Sequence, residues 1–241
     1  MADPAAVART LIVNADDFGR SPGINAGVVR AHKHGIVTSA SLMVRWPSAR
    51  PAAESARVLP RLGVGLHLDL GEWAFVDGAW RESYHVVDTD DAGAVDREVR
   101  SQLARFRELM GADPTHLDSH QHVHREGLVA DIADTLGREL GVPVRRRTSG
   151  ISYCGEFYGQ ARDGSPQHDA ITWESLVAIL RRLPEGVTEL ACHPGERDVG
   201  DRLYGIERTL ELAQLCDPRT RAVIDAEVIS LTSFRARRLH P

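Results

Sequence analysis

Short apolar runs alternate along the chain with longer segments in which apolar residues recur at helical spacing. The apolar runs, several of them rich in β-branched residues, predict buried strands at 10–14, 36–44, 62–68, 142–145, 188–193 and 226–231. Residues 115–119 are predicted to form a short strand that ends in a histidine-rich turn. The periodic segments predict helices at 21–31, 52–59, 94–110, 128–140, 173–182 and 205–215. Because strands and helices alternate without a linker or an internal repeat, the pattern predicts a parallel sheet with helices outside it.

About seven strand–helix units within 241 residues favour a (β/α) barrel, complete or incomplete, over an open sheet. We expect one domain over residues 1–241, long enough to bury a core without disulfides. The segments 69–91 and 149–169 have no clear period and are predicted to be long surface loops, and the basic stretch 235–238 is predicted to be solvated. Catalytic residues of such barrels come from the C-terminal ends of several strands.

The composition excludes several classes of protein. A hydrophobic content of 42% and a charged content of 26% are typical of a soluble globular enzyme. The net charge of −5 gives no basic footprint for nucleic acid, and no run approaches the ~20 apolar residues of a membrane span. The three cysteines, Cys154, Cys192 and Cys216, have no metal-ligand spacing, and no signal peptide is recognisable, so we expect a cytoplasmic protein with reduced thiols.

The histidines change this picture more than the charge does. Four of the 11 fall between His116 and His124, which predicts imidazoles gathered in a shared polar space for metal binding or proton transfer. Burying several of them without a metal or acidic partners would be costly. A histidine cluster on the surface without a role is the alternative.

Two adjacent carboxylates, Asp16 and Asp17, follow the first predicted strand. Close carboxylates need a cation, or one of them must be protonated. With a metal present, one could be a ligand and the other a general base. The alternative is a pair that caps the helix starting at Ser21-Pro22.

Two further histidines come at the ends of apolar runs. His67 lies in Gly65-Leu66-His67-Leu68 and is either functional or a satisfied core residue. His193 is followed by Pro194-Gly195, which ends the predicted strand and exposes the ring. It is a candidate general acid, or else a histidine of an ordinary loop.

An Asp-His-His set with open positions is typical of a catalytic rather than a structural divalent site. A structural zinc site would be closed by four ligands, usually including cysteine, and none of the three cysteines has suitable neighbours. Two nitrogens and one carboxylate suit Zn²⁺, Co²⁺, Mn²⁺ or Fe²⁺, whereas histidine is not a preferred ligand of Mg²⁺.

Three motifs, in order, resemble those of the YdjC-like carbohydrate deacetylases, a family that includes the chitooligosaccharide deacetylases. The first spans 11–19 and continues at 35–41, the second is Gly65-Leu66-His67-Leu68, and the third spans 115–124. Cys192-His193-Pro194-Gly195 matches a later motif, so the resemblance extends from Thr10 to about Glu196. It implies an irregular (β/α) barrel with parallel strands, similar to the polysaccharide deacetylases.

The resemblance also implies roles for particular residues. It makes Asp17, His67 and His120 the ligands of one divalent metal ion, Mg²⁺ or Zn²⁺, with Co²⁺, Mn²⁺ or Fe²⁺ as alternatives. It makes Asp16 the base and His193 the acid, with Arg145 holding the base in place. His122 is expected to line the site, and Asp118 to orient a ligand histidine.

The activity implied is hydrolysis of the acetamide of an N-acetylated sugar or oligosaccharide, a small-molecule carbohydrate. An amidase or esterase acting on a non-sugar or sugar-lipid substrate is the alternative, and a sugar-binding protein without turnover is a third. The unligated Asp16 argues against the third, because binding alone needs no base beside the metal. Related enzymes lead us to expect a homodimer.

Overall fold

The computed structural model describes residues 8–76, 78–197 and 204–237. Within these ranges the strands are β1 (Arg9–Phe18), β2 (Ser39–Leu42), β3 (Gly63–Leu68), β4 (Gly71–Val76), β5 (Ala79–His85), β6 (Leu117–Ser119), β7 (Ile151–Cys154), β8 (Gly186–Cys192) and β9 (Ser230–Leu231). The helices are α1 (Pro22–His34), α2 (Ala49–Arg57), α3 (Ala92–Met110), α4 (Gly127–Leu140), α5 (Trp173–Arg181), α6 (Gly205–Leu215) and α7 (Pro218–Ala226). None of these helices is long and apolar enough to cross a membrane.

Six parallel strands form the curled sheet in the order β6-β3-β2-β1-β8-β7, and β9 pairs with the start of β1. The central strand β1 is buried from Leu11 to Phe18, as its apolar run predicts. The apolar faces of the helices cover the sheet and complete one hydrophobic core. The predicted irregular (β/α) barrel with parallel strands is therefore confirmed.

Parallel pairing brings the C-terminal ends of β1, β3, β6 and β8 to one rim of the sheet. The sheet shifts register within β1, between Ala15 and Phe18. At this irregularity Asp17 adopts φ +63, a left-handed conformation that aspartate tolerates better than most residues. The bend lets neighbouring residues 16 and 17 both face the rim, which a regular strand would prevent.

The predicted loop at 69–91 is wrong over most of its length, because β4 and β5 form an antiparallel hairpin there. The alternation of large and small residues in Trp73-Ala74-Phe75 suits a strand with one covered face. Gly78, with φ +77, serves the turn. We refer to this unit as the β4–β5 hairpin.

The predicted strand at 142–145 is also wrong. Pro143 has no amide hydrogen to donate to a ladder, and only Val144 makes a bridge, to Leu117. The chain then turns, because Thr148 donates back to the carbonyl of Val144. The strand on this side is β7, which lies inside the segment predicted to be a loop.

The C-terminal segment differs from its prediction as well. Helix α7 continues to Ala226, and the strand predicted at 226–231 is reduced to the two residues of β9. The predicted solvated stretch at 235–238 follows the buried Phe234, whose ring stacks on His116 at a centroid distance of 4.0 Å. Arg235 itself is exposed, and residue 238 lies outside the described ranges.

Candidate metal and catalytic site

A cavity of about 910 Å³ opens at the rim where the parallel strands end. Its floor includes Asp16, Asp17, His67, His120 and His193. Five of the six residues predicted to carry chemistry therefore border one cavity. The sixth, Arg145, lies buried beneath it.

Asp17, His67 and His120 bring three metal-ligating atoms within 4.8 Å of one another. Asp17 Oδ1 lies 3.5 Å from His67 Nε2 and 3.2 Å from His120 Nδ1. This buried oxygen has no hydrogen-bond partner among the described residues. A buried acceptor without a partner, facing two ring nitrogens, is what a divalent cation would satisfy, so the residues fit a metal ion.

Asp118 fixes the orientation of the His67 ring. Its Oδ1 lies 2.8 Å from His67 Nδ1, so the other ring nitrogen, Nε2, is left to face Asp17. Burial alone would lower the pKa of His67, but the charge of Asp118 and its hydrogen bond raise that pKa to about 10. The same arrangement stabilises positive charge on the ring, whether a proton or a metal supplies it.

Asp16, His67 and Asp118 form a second cluster that could in principle hold a metal. Arg145 already neutralises both carboxylates of this cluster. Its guanidinium donates to Asp16 through Nη1 and Nη2, at 2.7 Å each, and its Nη2 lies 2.8 Å from Asp118 Oδ2. With its acidic oxygens occupied, the second cluster is the poorer metal site.

Arg145 is a buried cation surrounded by three carboxylates, the third being Glu189, which accepts from Arg145 Nε at 2.8 Å. Burial would raise the pKa of Asp16, but the charge and hydrogen bonds of Arg145 lower it. Burial raises the pKa of Glu189 to about 7 against the opposing effect of Arg145. Asp16 therefore remains ionised at neutral pH, which is consistent with the predicted role of Arg145 beside a base.

His193 follows β8 directly and enters the cavity with 20% of its side chain exposed. Its Nε2 lies 3.8 Å from Asp16 Oδ2, and its Nδ1 lies 3.8 Å from Glu211 Oε1. The backbone N–H of His193 also donates to Glu211. The ring thus lies between the carboxylates of Asp16 and Glu211.

The four clustered histidines do not share one polar space as predicted. His120 joins the metal cluster, and His122 borders the cavity, with its Nε2 3.1 Å from the Tyr153 hydroxyl. His116 and His124 are fully buried. His116 precedes β6 and packs on Phe234, whereas the positive φ angles of Gln121 and His122 turn the backbone sharply just after β6 and separate His120, His122 and His124.

Three residues of the site have no signal in the motifs. Arg208, on α6, donates to Asp17 Oδ2 at 2.6 Å; burial would raise the pKa of Asp17, but Arg208 and the two histidines hold it well below its usual value. Glu72, on β4, lies 3.4 Å from His120 Nε2. Glu211 reaches His193 from α6.

Known proteins resemble this chain over almost its full length. The model of the family described as YdjC-like protein matches residues 10–226. A carbohydrate deacetylase of Geobacillus stearothermophilus is 33% identical over 248 residues, covering 94% of this chain and 97% of the relative. A chitooligosaccharide deacetylase of Salmonella typhi is also 33% identical, over 94% of this chain and 98% of the relative.

Solved structures share the fold. A protein of Enterococcus faecalis V583 provisionally assigned to cellobiose-phosphate cleavage has a TM-score of 0.78 and 27% identity, covering 96% of this chain and all of that one. A family 4 carbohydrate esterase of Streptomyces lividans has a TM-score of 0.53 and 10% identity, covering 98% of this chain and 97% of that one, which supports the fold alone. The family match and the relatives, taken with the fold and the rim cluster, show that the chain belongs to the YdjC-like protein family.

Proposed function

We propose that this protein is a divalent-metal-dependent hydrolase that removes the acetyl group from an N-acetylated sugar or oligosaccharide. The observation that carries the proposal is the buried Asp17 Oδ1, which lacks a hydrogen-bond partner and faces ring nitrogens of His67 and His120, beside the ionised Asp16. A ligand set and a separate carboxylate in one cavity favour hydrolysis over binding alone.

Asp17, His67 and His120 would hold the ion. Two imidazoles and one carboxylate suit Zn²⁺ better than Mg²⁺. When bound, a divalent ion would polarise the acetyl carbonyl and lower the pKa of an attacking water. Arg208 occupies the second oxygen of Asp17, so Oδ1 is the oxygen available to the ion.

Asp16 would accept the proton of the attacking water. Its carboxylate is ionised at neutral pH and therefore ready for this transfer. Arg145 holds both of its oxygens, and Asn14 Nδ2 donates to Oδ1 at 2.9 Å. These contacts fix the carboxylate in one orientation, and the contacts with Arg145 also lower the pKa of Asp16 and hence its basicity.

His193 would donate a proton to the nitrogen of the leaving sugar amine. The carboxylate of Glu211, 3.8 Å from Nδ1, also accepts from the backbone N–H of His193 and would hold the ring in position for the transfer. Base and acid are neighbours across the cavity floor, because His193 Nε2 lies 3.8 Å from Asp16 Oδ2. The two groups could therefore act on one acetamide in turn.

The sugar substrate is supported by the relatives, which are named carbohydrate and chitooligosaccharide deacetylases. The test is acetate release from N-acetylglucosamine, its oligomers, simple acetamides and acetyl esters. The metal-stripped protein should be inactive and should regain activity with Zn²⁺, Co²⁺, Mn²⁺ or Mg²⁺. Preference for acetamides or esters without a sugar would replace the proposal with the amidase or esterase alternative.

Substitutions separate metal binding from proton transfer. Asp16→Asn should bind metal with near-normal stoichiometry while turnover falls about 10²- to 10⁴-fold, because the proton acceptor is lost. His67→Gln and His120→Gln should lose the metal, measured by elemental analysis after dialysis. His34→Gln, on the exposed end of α1, is the control and should change neither property. Near-normal turnover by Asp16→Asn would show that the base is another group.

A further inference from the structure

Three aromatic residues line the part of the cavity that the β4–β5 hairpin forms. Trp73, Phe75 and Trp80 border the same cavity as Asp17. Phe75 and Trp80 are paired across the hairpin, with ring centroids 5.5 Å apart. Trp73 precedes Phe75 by two residues and therefore shares its face of the strand. These three residues form the aromatic face of the hairpin, and all three border the cavity.

The two tryptophans of the aromatic face are more exposed to solvent than large apolar side chains usually are. Trp73 and Trp80 are 51% and 53% exposed, whereas Ala74, on the opposite face of β4, is only 8% exposed. A strand that serves stability alone places its large apolar residues inward and its small or polar residues outward. Glu72 and Ala74, on the opposite face, also border the cavity but are buried, so the two exposed tryptophans are the large apolar residues of the hairpin that a ligand can reach.

The hairpin is fastened to the turn that carries His120. Gln121 accepts a hydrogen bond from the backbone N–H of Trp73 at 2.9 Å and donates to the carbonyl of Trp73 at 2.6 Å. Glu72, the preceding residue on β4, lies 3.4 Å from His120 Nε2. These contacts hold the aromatic face at a defined position relative to the proposed metal ligands.

The cavity between the hairpin and the segment 155–164 has room for more than one sugar ring. Gly164 approaches Phe75 so closely that a Cβ at this position would lie 2.8 Å from Phe75 Cβ, so the segment 155–164, which also lines the cavity, contacts the hairpin at Phe75. The cavity of about 910 Å³ is near the upper limit of small-molecule sites, about 300–1,000 Å³. That volume extends well beyond an acetyl group and its own sugar ring.

We propose that Trp73 and Trp80 form a subsite for a second sugar ring of a neutral N-acetylated oligosaccharide. The inference rests on the proposed function, and it makes these two tryptophans the residues that distinguish a chain of two or more rings from a single ring. Pyranose rings have apolar C–H faces that pack against aromatic rings, while their hydroxyls remain in water. The aromatic face would hold the adjacent ring while the acetamide lies over Asp17.

The kinetic test compares N-acetylglucosamine with its β-1,4-linked dimer and trimer. Trp80→Leu and Trp73→Leu should lower the ratio of kcat/KM for the dimer to that for the monomer about 3- to 10-fold, mainly through KM. Trp80→Phe should retain more of the ratio, because an aromatic face remains. Val76→Ala, an exposed apolar change on the same hairpin outside the cavity lining, is the control. An equal loss on monomer and dimer, or no loss, would overturn the subsite.

A binding test does not depend on turnover. Calorimetry with the metal-stripped protein and the dimer should show binding that Trp80→Leu weakens about 3- to 10-fold and Val76→Ala does not. If the wild-type protein binds the dimer in this way yet releases no acetate from any sugar, the proposed function fails and the subsite stands. If Trp80→Leu leaves binding unchanged, or instead converts a dimeric protein to monomers in sedimentation, the aromatic face is not a sugar subsite.

Discussion

At the scale of single residues, the site depends on buried charges that compensate one another. Arg145 pairs with Asp16, Asp118 and Glu189, and Arg208 pairs with Asp17. Each carboxylate has an assigned cation or hydrogen-bond donor, so removing one partner leaves the others uncompensated, at a cost of about 3–5 kcal/mol in typical buried pairs. Conservative changes are therefore the informative ones.

Arg145→Lys keeps the charge but cannot donate to both oxygens of Asp16 from a planar fork. Because Arg145 lowers the pKa of Asp16, weaker pairing should raise that pKa. Asp16 would then be protonated at higher pH, and the acid limb of the pH–activity profile should move upward. We also expect a loss of about 1–3 kcal/mol in the free energy of unfolding.

The control for this change is Arg147→Lys, at a surface pair with Asp134, where the effect on stability should stay within about 0.5 kcal/mol. Its pH–activity profile should match that of the wild-type protein. An unmoved acid limb in Arg145→Lys would mean that Asp16 is not the group titrating in that limb.

Residue-scale prediction from the sequence is good where ligands lie in local motifs and poor elsewhere. Asp17, His67 and His120 lie at or shortly after the ends of predicted strands, and because parallel strands end at one rim, the sequence predicts that they meet. Arg208, Glu72 and Glu211 come from α6 and the β4–β5 hairpin, whose placement depends on tertiary packing. No local pattern marks an ordinary helical arginine as the partner of a buried aspartate.

At the scale of elements, the loop that carries His193 is held between two helices. Gly195 donates its N–H to the carbonyl of Arg208 on α6, and Glu196 donates to the carbonyl of Gly23 on α1. Helix α1 approaches so closely that a Cβ on Gly27 would lie 2.4 Å from Gly195 Cα. A glycine at each of these two positions permits the contact.

Gly27→Ala should therefore displace the loop. We expect a loss of about 1–3 kcal/mol in the free energy of unfolding, from overpacking, together with a lower kcat as His193 moves. Gly93→Ala, in the first turn of α3 with only the flexible Arg97 and Asp91 side chains nearby, is the matched control and should be neutral or stabilising by up to about 1 kcal/mol. Denaturant melts and acetate-release kinetics check both variants, and equal behaviour of the two would refute the contact.

The elements that the sequence predicts well are those with a strong period. Helices α3, α4, α5 and α6 agree with their predictions to within two residues. The errors have local causes. Pro143 interrupts an apolar run that would otherwise be typical of a strand. The aromatic residues of the β4–β5 hairpin border a cavity and are not part of the core, so their hydrophobic pattern does not indicate a buried strand.

At the scale of the whole molecule, burial of neutral histidines makes stability depend on pH. Burial lowers the pKa of His116 and His124 to about 4 and that of His122 to about 3. The unfolded chain binds these protons near pH 6.5, so it binds more protons than the folded protein between about pH 6.5 and 4. The free energy of unfolding should therefore fall as the pH is lowered through this window.

Urea denaturation of the metal-stripped protein at a series of pH values measures this slope. His67, with a pKa raised to about 10, is protonated in both states below about pH 6.5, so it adds nothing to the slope there. His124→Gln should reduce the slope by about one proton. A stability that does not change between pH 6.5 and 4.5 would contradict the buried neutral state of these rings.

The pairing of β1 with β8 and β9 also has a consequence for biosynthesis. Residues 9–15 of β1 can pair with β8 only after residues 186–192 have been synthesised. The start of β1 can pair with β9 only after residues 230–231 have been synthesised. At ribosomal rates of about 5–20 residues per second, that delay is on the order of ten seconds or more. The buried strand β1 stays without these partners throughout, so it is the segment that we expect chaperones to engage.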